Sequence, residues 1–460
     1  MVVSPLLVLM ENQIAAAKKL NLSCDVLNST VSDRREEILT ALEEDRLDLL
    51  FITPETLFSD DVQHHLPNIR IGLFVIDEAH CISDWGHDFR LEYGNLRKIV
   101  NRLPENVPIL ATTATANDRV VEDLKKQLGN DVFISRGPLT RDSLYIQVMN
   151  QSSKINRYAW ILENVPKLPG SGIIYCLTQR DCDYLAEFLR KNKISAAAYY
   201  SRDNANGEAI NRQIEEKFRK NQLKVMVATI KLGMGYDKGD ISFVIHYQMP
   251  SNIVSYYQQI GRAGRNIDRA YIFLMYGKED EEILDYFIST AFPTEQETEK
   301  IVDYIGQHNG VKLSQLISSM NIRKARIDKA LSFLINDGFI RKEHSYYYIT
   351  PKKFVYNRAH YDAVTAARKR EMEQMKSLSA TTECYSKYIV SCLDDRTARN
   401  CGHCSNCLKK ELFPSTVSQQ SMHTAEEYFS RLVIPIEPRK MWADSSVTQK
   451  KKIAFINQPG

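Results

Sequence analysis

Short apolar runs rich in β-branched residues alternate with amphipathic stretches over more than half of the chain, and that alternation restricts the fold more than any other feature. "MVVSP", "LDLLFITPE", "IGLFVID", "VPILATTA" and "DVFIS" have strand length, whereas "DRREEILTALEED" and "NDRVVEDLKKQL" carry apolar residues at helical spacing. Strands that return after helices point to a parallel sheet covered by helices. After "RGPLTRDS" the pattern restarts with "LYIQVM", "SGIIYCLT", "SAAAYY", "KVMVATI", "SFVIHY" and "AYIFLMY", separated by helical periods including "QRDCDYLAEFLRKN". Residues 1–137 and 138–277 therefore read as two α/β lobes, related by architecture and not by visible repetition of sequence.

Beyond Gly277 the strand pattern stops. "KLSQLISSMN", "RKARIDKALSFLINDGF" and "IRKEHSYYYITP" read as helix, longer helix and hairpin, which predicts a helical, winged-helix-like segment over 278–355. "RAHYDAVTAARKREMEQMKSL" is a charged helix leading to a cysteine cluster, so 356–412 reads as a helical metal-binding module. The remainder, 413–460, contains "LFPSTVSQQSMH" and reads as a linker followed by an incomplete C-terminal segment. A chain of 460 residues accommodates about three domains. With 25% charged residues and a net charge of +3, any nucleic-acid surface has to be a local patch. No apolar run approaches the roughly 20 residues of a bilayer span, and no basic segment precedes the first apolar one as in a signal peptide. The expectation is a soluble cytoplasmic protein without a membrane partner.

"FVIDEAHCISDWGHDFR", Phe74 to Arg90, sets Asp77 and Glu78 directly after a buried strand, at the carboxyl edge where open α/β sheets bind ligands. In phosphoryl transfer such a pair divides the work. Asp77 would hold Mg²⁺, usually through water, Glu78 would orient or deprotonate the attacking water, and His80 would report nucleotide state. An N-cap acid with a solvated companion is the alternative for the dipeptide alone. "ATTATA", Ala111 to Ala116, offers three hydroxyls after another strand, and "VATIKLGMGYDKGD" places Gly235 and Asp237 at a strand end in the second lobe. In "SYYQQIGRAGRN", Arg262 and Arg265 lie three apart and are expected on one helical face, able to grip a triphosphate with Arg265 as an arginine finger. A solvated basic helix is the competing reading. Trp85 and Phe89 can stack on bases with Arg90 at a phosphate, at roughly 1–3 kcal/mol per stacked base and without sequence preference.

Together, "DEAHCISDWGHDFR", "ATTATA", "GIIYCLTQRDCDYLAEFL", "VATIKLGMGYDK" and "YYQQIGRAGR" resemble the RecQ family of superfamily 2 DNA helicases, in matching order over most of residues 1–275. The aromatic loop "CISDWGHDFR" is the specific element. The resemblance implies two RecA-like lobes, ATP and Mg²⁺ as cofactors, and 3′ to 5′ translocation on single-stranded DNA with unwinding of forked or duplex DNA. It also implies work in DNA repair and recombination in a bacterial cytoplasm, and names no protein partner. Residue by residue, it gives Asp77, Glu78, His80, Gln258, Arg262 and Arg265 catalytic roles, and turns Gly235 and Asp237 toward the nucleotide with Asp77 and the two arginines. Ser4, Thr53, Trp85, His87, Phe89 and Arg90 become DNA contacts, with Glu55 a further candidate.

The phosphate cradle G-x-x-x-x-G-K-[ST] is missing: the only Gly-Lys dipeptide, Gly277-Lys278, runs into Glu279. In the family the cradle precedes the segment matched by "VVSPLLVLM", so the expectation is a helicase fragment truncated at both ends, or a short form without hydrolysis. Gln259 stands where the family usually carries Glu, Asn266 where Asp is common, and "AYYSRDN" where a His-Ala-Gly turn is usual.

Cys384, Cys401, Cys404 and Cys407 form C-x16-C-x2-C-x2-C, a spacing that closes a tetrahedral Zn²⁺ site. An iron–sulfur cluster is the rival, but no following Cys-Pro completes that pattern; Cys392 and His403 are alternative ligands. "ECYSKYIVSCLDD" and "NCGHCSNC" resemble the RecQ zinc-binding domain. The winged-helix-like segment precedes this module, the reverse of the best-known RecQ order. Arg323, Lys324, Arg326 and Lys329 would sit on a DNA-facing helix with "HSYYY" as the wing, or the segment packs without touching DNA. From another class, a non-hydrolysing DNA-binding protein using the zinc and winged-helix modules is the alternative function; an RNA-remodelling helicase is disfavoured by the aromatic loop.

Overall fold

The computed structural model describes residues 1–432 except 6, 29, 30, 32, 83–90, 152, 203–205, 234 and 235. Residues 1–283 together with 370–430 form one compact unit, and 284–369 belong to a second.

In the first lobe, strands β1 (Val2–Val3), β2 (Cys24–Leu27), β3 (Leu49–Ile52), β4 (Phe74–Ile76) and β5 (Ile109–Ala111) form one parallel sheet in the order β2-β3-β1-β4-β5. Helices α1 (Leu7–Lys19), α2 (Arg35–Glu43) and α3 (Asp118–Leu128) are among its connections. Val3, Ile52, Phe74, Ile76, Leu96 and Ile99 are buried in one cluster, as the apolar runs require. The ladder continues one residue past β3, β1, β4 and β5: the N–H groups of Thr53, Ser4, Asp77 and Thr112 donate to the carbonyls of Leu27, Ile52, Val3 and Ile76. A row of polar side chains is thereby fixed along one sheet edge by strand register alone.

Two features of this lobe differ from the sequence expectation. "SCDVL" supplies β2, which its polar Asp25 and short length conceal. "DVFIS" forms no strand; Phe133 is 91% exposed, and the segment runs as a connector toward the second lobe. Strand propensity needs a hydrogen-bonded neighbour to be realised, and β5, whose Leu110 is 48% exposed, ends the sheet without one.

All six apolar runs of the second lobe are strands: β6 (Leu144–Asn150), β7 (Ser171–Tyr175), β8 (Ala196–Tyr199), β9 (Val225–Ala228), β10 (Ile241–His246) and β11 (Ala270–Tyr276), parallel in the order β6-β11-β10-β7-β9-β8. β7, β9 and β10 are buried at every position, as central strands covered on both faces must be. Helices α4 (Lys154–Asn164), α5 (Gln179–Lys191), α6 (Gly207–Arg219) and α7 (Ile253–Ile260) pack around them, with Ser153, Thr178 and Asn252 as N-caps of α4, α5 and α7. The lobe's one fully buried ion pair among the described residues, Arg157–Asp280, is bidentate at 2.9 and 3.1 Å. Its remaining capacity is met by the carbonyls of Gln151 and Tyr247 and the N–H groups of Met249 and Gly277.

The second unit runs helix α8 (Glu295–Gly306), strand β12 (Val311–Lys312), helices α9 (Leu313–Ser319) and α10 (Lys324–Asn336), then hairpin β13 (Ile340–Glu343) and β14 (Tyr346–Ile349). The antiparallel sheet has the order β12-β14-β13. Ile301, Ile305, Leu316, Ile327, Leu331 and Leu334 build its own core. Helix α11 (Arg358–Ala380) then leads to α12 (Tyr385–Ser391), α13 (Ser405–Leu408) and α14 (Gln419–Ser430). The stretch read as a linker is instead bound to the second lobe. Gln147, Trp160 and Gln151 donate to the carbonyls of Phe413, Pro414 and Ser415, and Tyr428 and Phe429 of α14 pack on Tyr158. Serine and glutamine in that stretch hid a helix whose stability comes from the surface it covers.

Candidate nucleotide and metal sites

Asp77 lies at the end of β4 with its carboxylate already oriented. Ser4 Oγ donates to Oδ2 at 3.3 Å, Thr112 Oγ1 to Oδ1 at 2.9 Å and the Glu78 N–H to Oδ1 at 3.0 Å, while Tyr93 Oη donates to the Asp77 carbonyl at 2.8 Å. The donors come from the ends of β1 and β5, on either side of β4. Glu78 follows at φ +48°, a left-handed conformation that costs a non-glycine residue of order 1–3 kcal/mol and recurs at functional sites. That bend turns its carboxylate back toward the buried His80, whose Nδ1 lies 3.3 Å from Glu78 Oε2 and 3.1 Å from Thr113 Oγ1. Burial opposes charge on His80, but Cys81 Sγ and the Glu78 carboxylate outweigh it and raise the imidazole pKa to about 10. Two hydroxyls of "ATTATA" thus meet the acid motif, Thr112 at Asp77 and Thr113 at His80. Thr115 is buried, and its Oγ1 finds no partner among the described residues.

The arginines are arranged differently from the single helical face that their spacing predicts. Helix α7 ends at Ile260, and Gly261 and Gly264 carry the chain into a loop in which Gly264 takes φ +66°. Arg262 is buried and donates to the Tyr236 carbonyl at 2.8 Å. Arg265 is 41% exposed and pairs with Asp237 at 2.6 Å, so both of these predicted site residues are present but joined to each other. Among the described residues, Asp77 is bonded by Ser4, Thr112 and Glu78 and Arg265 by Gly261 and Asp237, each within its own lobe. Gln258 is half-buried; its neighbour Gln259 is buried and bonded to His246 Nε2 at 2.7 Å. With no charge to offset burial, His246 is held down to a pKa of about 4. Arg141, which carries no motif signal, donates to the carbonyls of Gly261, Ala263 and Gly264 at 2.5, 3.0 and 2.8 Å and so shapes this loop.

Two predicted DNA contacts have other work. Ser4 is fully buried against Asp77, and the buried Thr53 caps the short helix Pro54–Leu57, bonding Thr56 Oγ1 at 2.9 Å. Trp85, His87, Phe89, Arg90 and Gly235 lie outside the described residues. In the second unit Arg323 and Lys324 are exposed, whereas Arg326 binds Glu297 and the carbonyls of Thr290 and Phe292, and Lys329 donates to Thr290. The latter pair ties α10 to Glu297 and to the carbonyls of Thr290 and Phe292 within the unit.

The ligand atoms of Cys384, Cys401, Cys404 and Cys407 all lie within 4.8 Å of one another. Cys384 Sγ is 3.5 Å from Cys401 Sγ and 3.9 Å from Cys404 Sγ, close to the ~3.8 Å edge of a tetrahedron with Zn–S bonds of about 2.3 Å. The N–H groups of Cys401, Cys404 and Cys407 point at the sulfurs of Cys384, Cys401 and Cys404, stabilising thiolate character. The residues fit a structural Zn²⁺. The alternatives fall away: His403 Nε2 lies 3.0 Å from the Leu144 carbonyl and its ring packs on Tyr145, and Cys392 is outside the cluster.

Residues 1–124 match the DEAD/DEAH box helicase model, 156–267 the helicase conserved C-terminal domain and 347–408 the RecQ zinc-binding model. The chain is 34% identical over 314 residues to the ATP-dependent DNA helicase RecQ of Bacillus subtilis, covering 66% of this chain and 52% of that protein. It is 29% identical over 430 residues to the ATP-dependent DNA helicase RecQ of Synechocystis, covering 89% and 86%. The chain belongs to the RecQ family of superfamily 2 helicases. It spans about half the length of the first curated RecQ relatives it matches, 52% and 47% for two of them. A solved structure of Mss116p bound to ssRNA and AMP-PNP, 15% identical, superposes with a TM-score of 0.51 over 94% of this RecQ chain and 79% of Mss116p, a likeness of fold.

Proposed function

We propose that this RecQ-family chain provides the hydrolytic and DNA-engaging parts of an ATP-dependent 3′ to 5′ DNA helicase acting on single-stranded and forked DNA in the cytoplasm, in repair and recombination. The observation that carries the reading is the row of strand ends in the first lobe, where hydroxyls of Ser4 and Thr112 fix the Asp77 carboxylate beside Glu78. Asp77 would hold Mg²⁺ and Glu78 the attacking water, with Arg265 leaving Asp237 for the γ-phosphate when nucleotide is bound. The phosphates need a cradle of the G-x-x-x-x-G-K-[ST] type, which the given sequence does not contain, and β5, the last strand of the sheet among the described residues, lies next to β4 and Asp77. Zinc in the four-cysteine site would be structural, with no open position for chemistry. The unit 284–369 has the element order of a winged helix, and Arg323 and Lys324 at the start of α10 are its candidate duplex contacts.

The test is hydrolysis of ATP stimulated by single-stranded DNA, in a form of the protein carrying a G-x-x-x-x-G-K-[ST] loop ahead of β1. Glu78→Gln is expected to lower kcat by about 10²-fold or more while leaving DNA affinity within about twofold. Hydrolysis that survives this substitution would remove the water-activating role.

A further inference from the structure

The connector between the lobes is held at successive residues by three different parts of the molecule. The Leu139 N–H donates to Asp395 Oδ2 at 2.8 Å, and its carbonyl accepts from Tyr257 Oη of α7 at 2.9 Å. Two residues on, Arg141 spans the carbonyls of Gly261, Ala263 and Gly264, and Ser143 Oγ donates to Gly264 at 2.8 Å. Arg265, the candidate arginine finger, extends from this loop. Asp395 is itself immobilised, with Oδ1 accepting from Thr397 N at 2.8 Å and Thr397 Oγ1 at 2.6 Å. Its neighbour Asp394, at φ +61°, accepts from the Asp118 N–H at 2.8 Å, the first residue of α3 just beyond "ATTATA". Both acids follow α12, whose N-cap is the zinc ligand Cys384.

We propose that the Asp394–Asp395 turn of the zinc module is a positioning element for the arginine loop. Asp394 fixes the first lobe at α3, Asp395 fixes the connector at Leu139, and Arg141 passes that constraint to the Gly261–Gly264 carbonyls. A carboxylate serves here because each oxygen accepts a separate N–H without a donor of its own to satisfy. The chain of contacts has a direction. Releasing Leu139 frees both the connector and the loop, whereas releasing the loop at Arg141 leaves the Asp395–Leu139 bond in place. The role of the loop as a phosphate-facing element rests on the helicase reading above, but the positioning does not, so the test uses no nucleotide.

Amide hydrogen exchange of the zinc-loaded chain decides it, comparing Asp395→Ala and Arg141→Ala with the parent. Asp395→Ala is expected to speed exchange by about tenfold, the scale of one lost charge-assisted hydrogen bond, in peptides covering both 137–145 and 259–268. Arg141→Ala should do so in 259–268 only. Zinc content and exchange across β7 and β9 should be unchanged in both, which separates positioning from general loss of stability. Where Asp395→Ala does not fold, Tyr257→Phe removes the other half of the grip on Leu139 while keeping the ring, and should produce the same paired response. Acceleration at 137–145 with 259–268 unchanged, in either variant, would overturn the proposal, as would loss of protection at 137–145 in Arg141→Ala.

Discussion

Glu78 and His246 show how single positions carry both chemistry and stability. The left-handed backbone at Glu78 is tolerated because the flanking strand and the Ala79 N–H to Thr112 carbonyl bond, at 2.8 Å, over-determine it. His246 is the opposite case, an imidazole fully buried against an uncharged amide and depressed to a pKa of about 4. Between that value and the ~6.5 of an unfolded histidine, the unfolded chain binds the extra proton, so stability from this site is complete above pH 6.5 and declines as pH falls toward 4. The loss amounts to about 3 kcal/mol. Urea midpoints at pH 7 and pH 4.5 should register it in the parent, and the drop should shrink in Gln259→Glu, where a carboxylate beside the ring favours the charged imidazole. An identical drop in both proteins would remove His246 as its source. At this scale the sequence was readable for residue type but not for direction: the Ser4 and Thr53 hydroxyls suited DNA by resemblance, yet one turned to Asp77 and the other to a helix N-terminus.

Among the elements, the loop after α7 shows what glycine spacing conceals. Arginines three apart predict one face only while the helix continues, and Gly264 at φ +66° ends that possibility. Gly261 and Gly264, poor helix formers, are therefore the feature of "GRAGR" that makes the arginines diverge, one buried at Tyr236 and one exposed at Asp237. Gly264 has a second constraint, since a Cβ there would lie 2.6 Å from Ser143 Oγ and 3.2 Å from Ala270 Cβ. Gly129, at φ +106°, has nothing within 4 Å of its Cβ position. Gly264→Ala should thus cost stability on the order of 1–3 kcal/mol from strain, with the clash added, and lower the melting temperature more than Gly129→Ala. Equal shifts would mean that backbone strain alone governs both sites. Strand placement in the second lobe was legible because the central parallel strands are buried at every position and mostly apolar, whereas "DVFIS" has a similar apolar run and lacked only a neighbour, which no local pattern encodes.

For the molecule as a whole, the cysteine cluster lies in the same compact unit as the two lobes, while 284–369 has a core of its own, although sequence order places that segment between them. The spacing of the cysteines announced a metal site, but not that His403 would bind β6 or that the stretch after Cys407 would pass its carbonyls to Gln147 and Trp160. Those contacts make the zinc module part of the second lobe's outer surface. Structural zinc sites contribute an apparent ~10 kcal/mol or more to folding in small peptides, and zinc held by these cysteines would be coupled to the lobe through the contacts of His403 with Leu144 and Tyr145 of β6. Chelation under reducing conditions should therefore lower the calorimetric transition of the unit containing the lobes by several degrees and speed hydrogen exchange across 144–150 and 419–430. The core of Ile301, Ile327 and Leu334 should keep its protection, because none of its contacts depends on the cysteines. If that core instead lost protection in step with β6, the two units would be one cooperative block, and the metal would stabilise the chain globally instead of bracing the surface that carries the connector and the arginine loop.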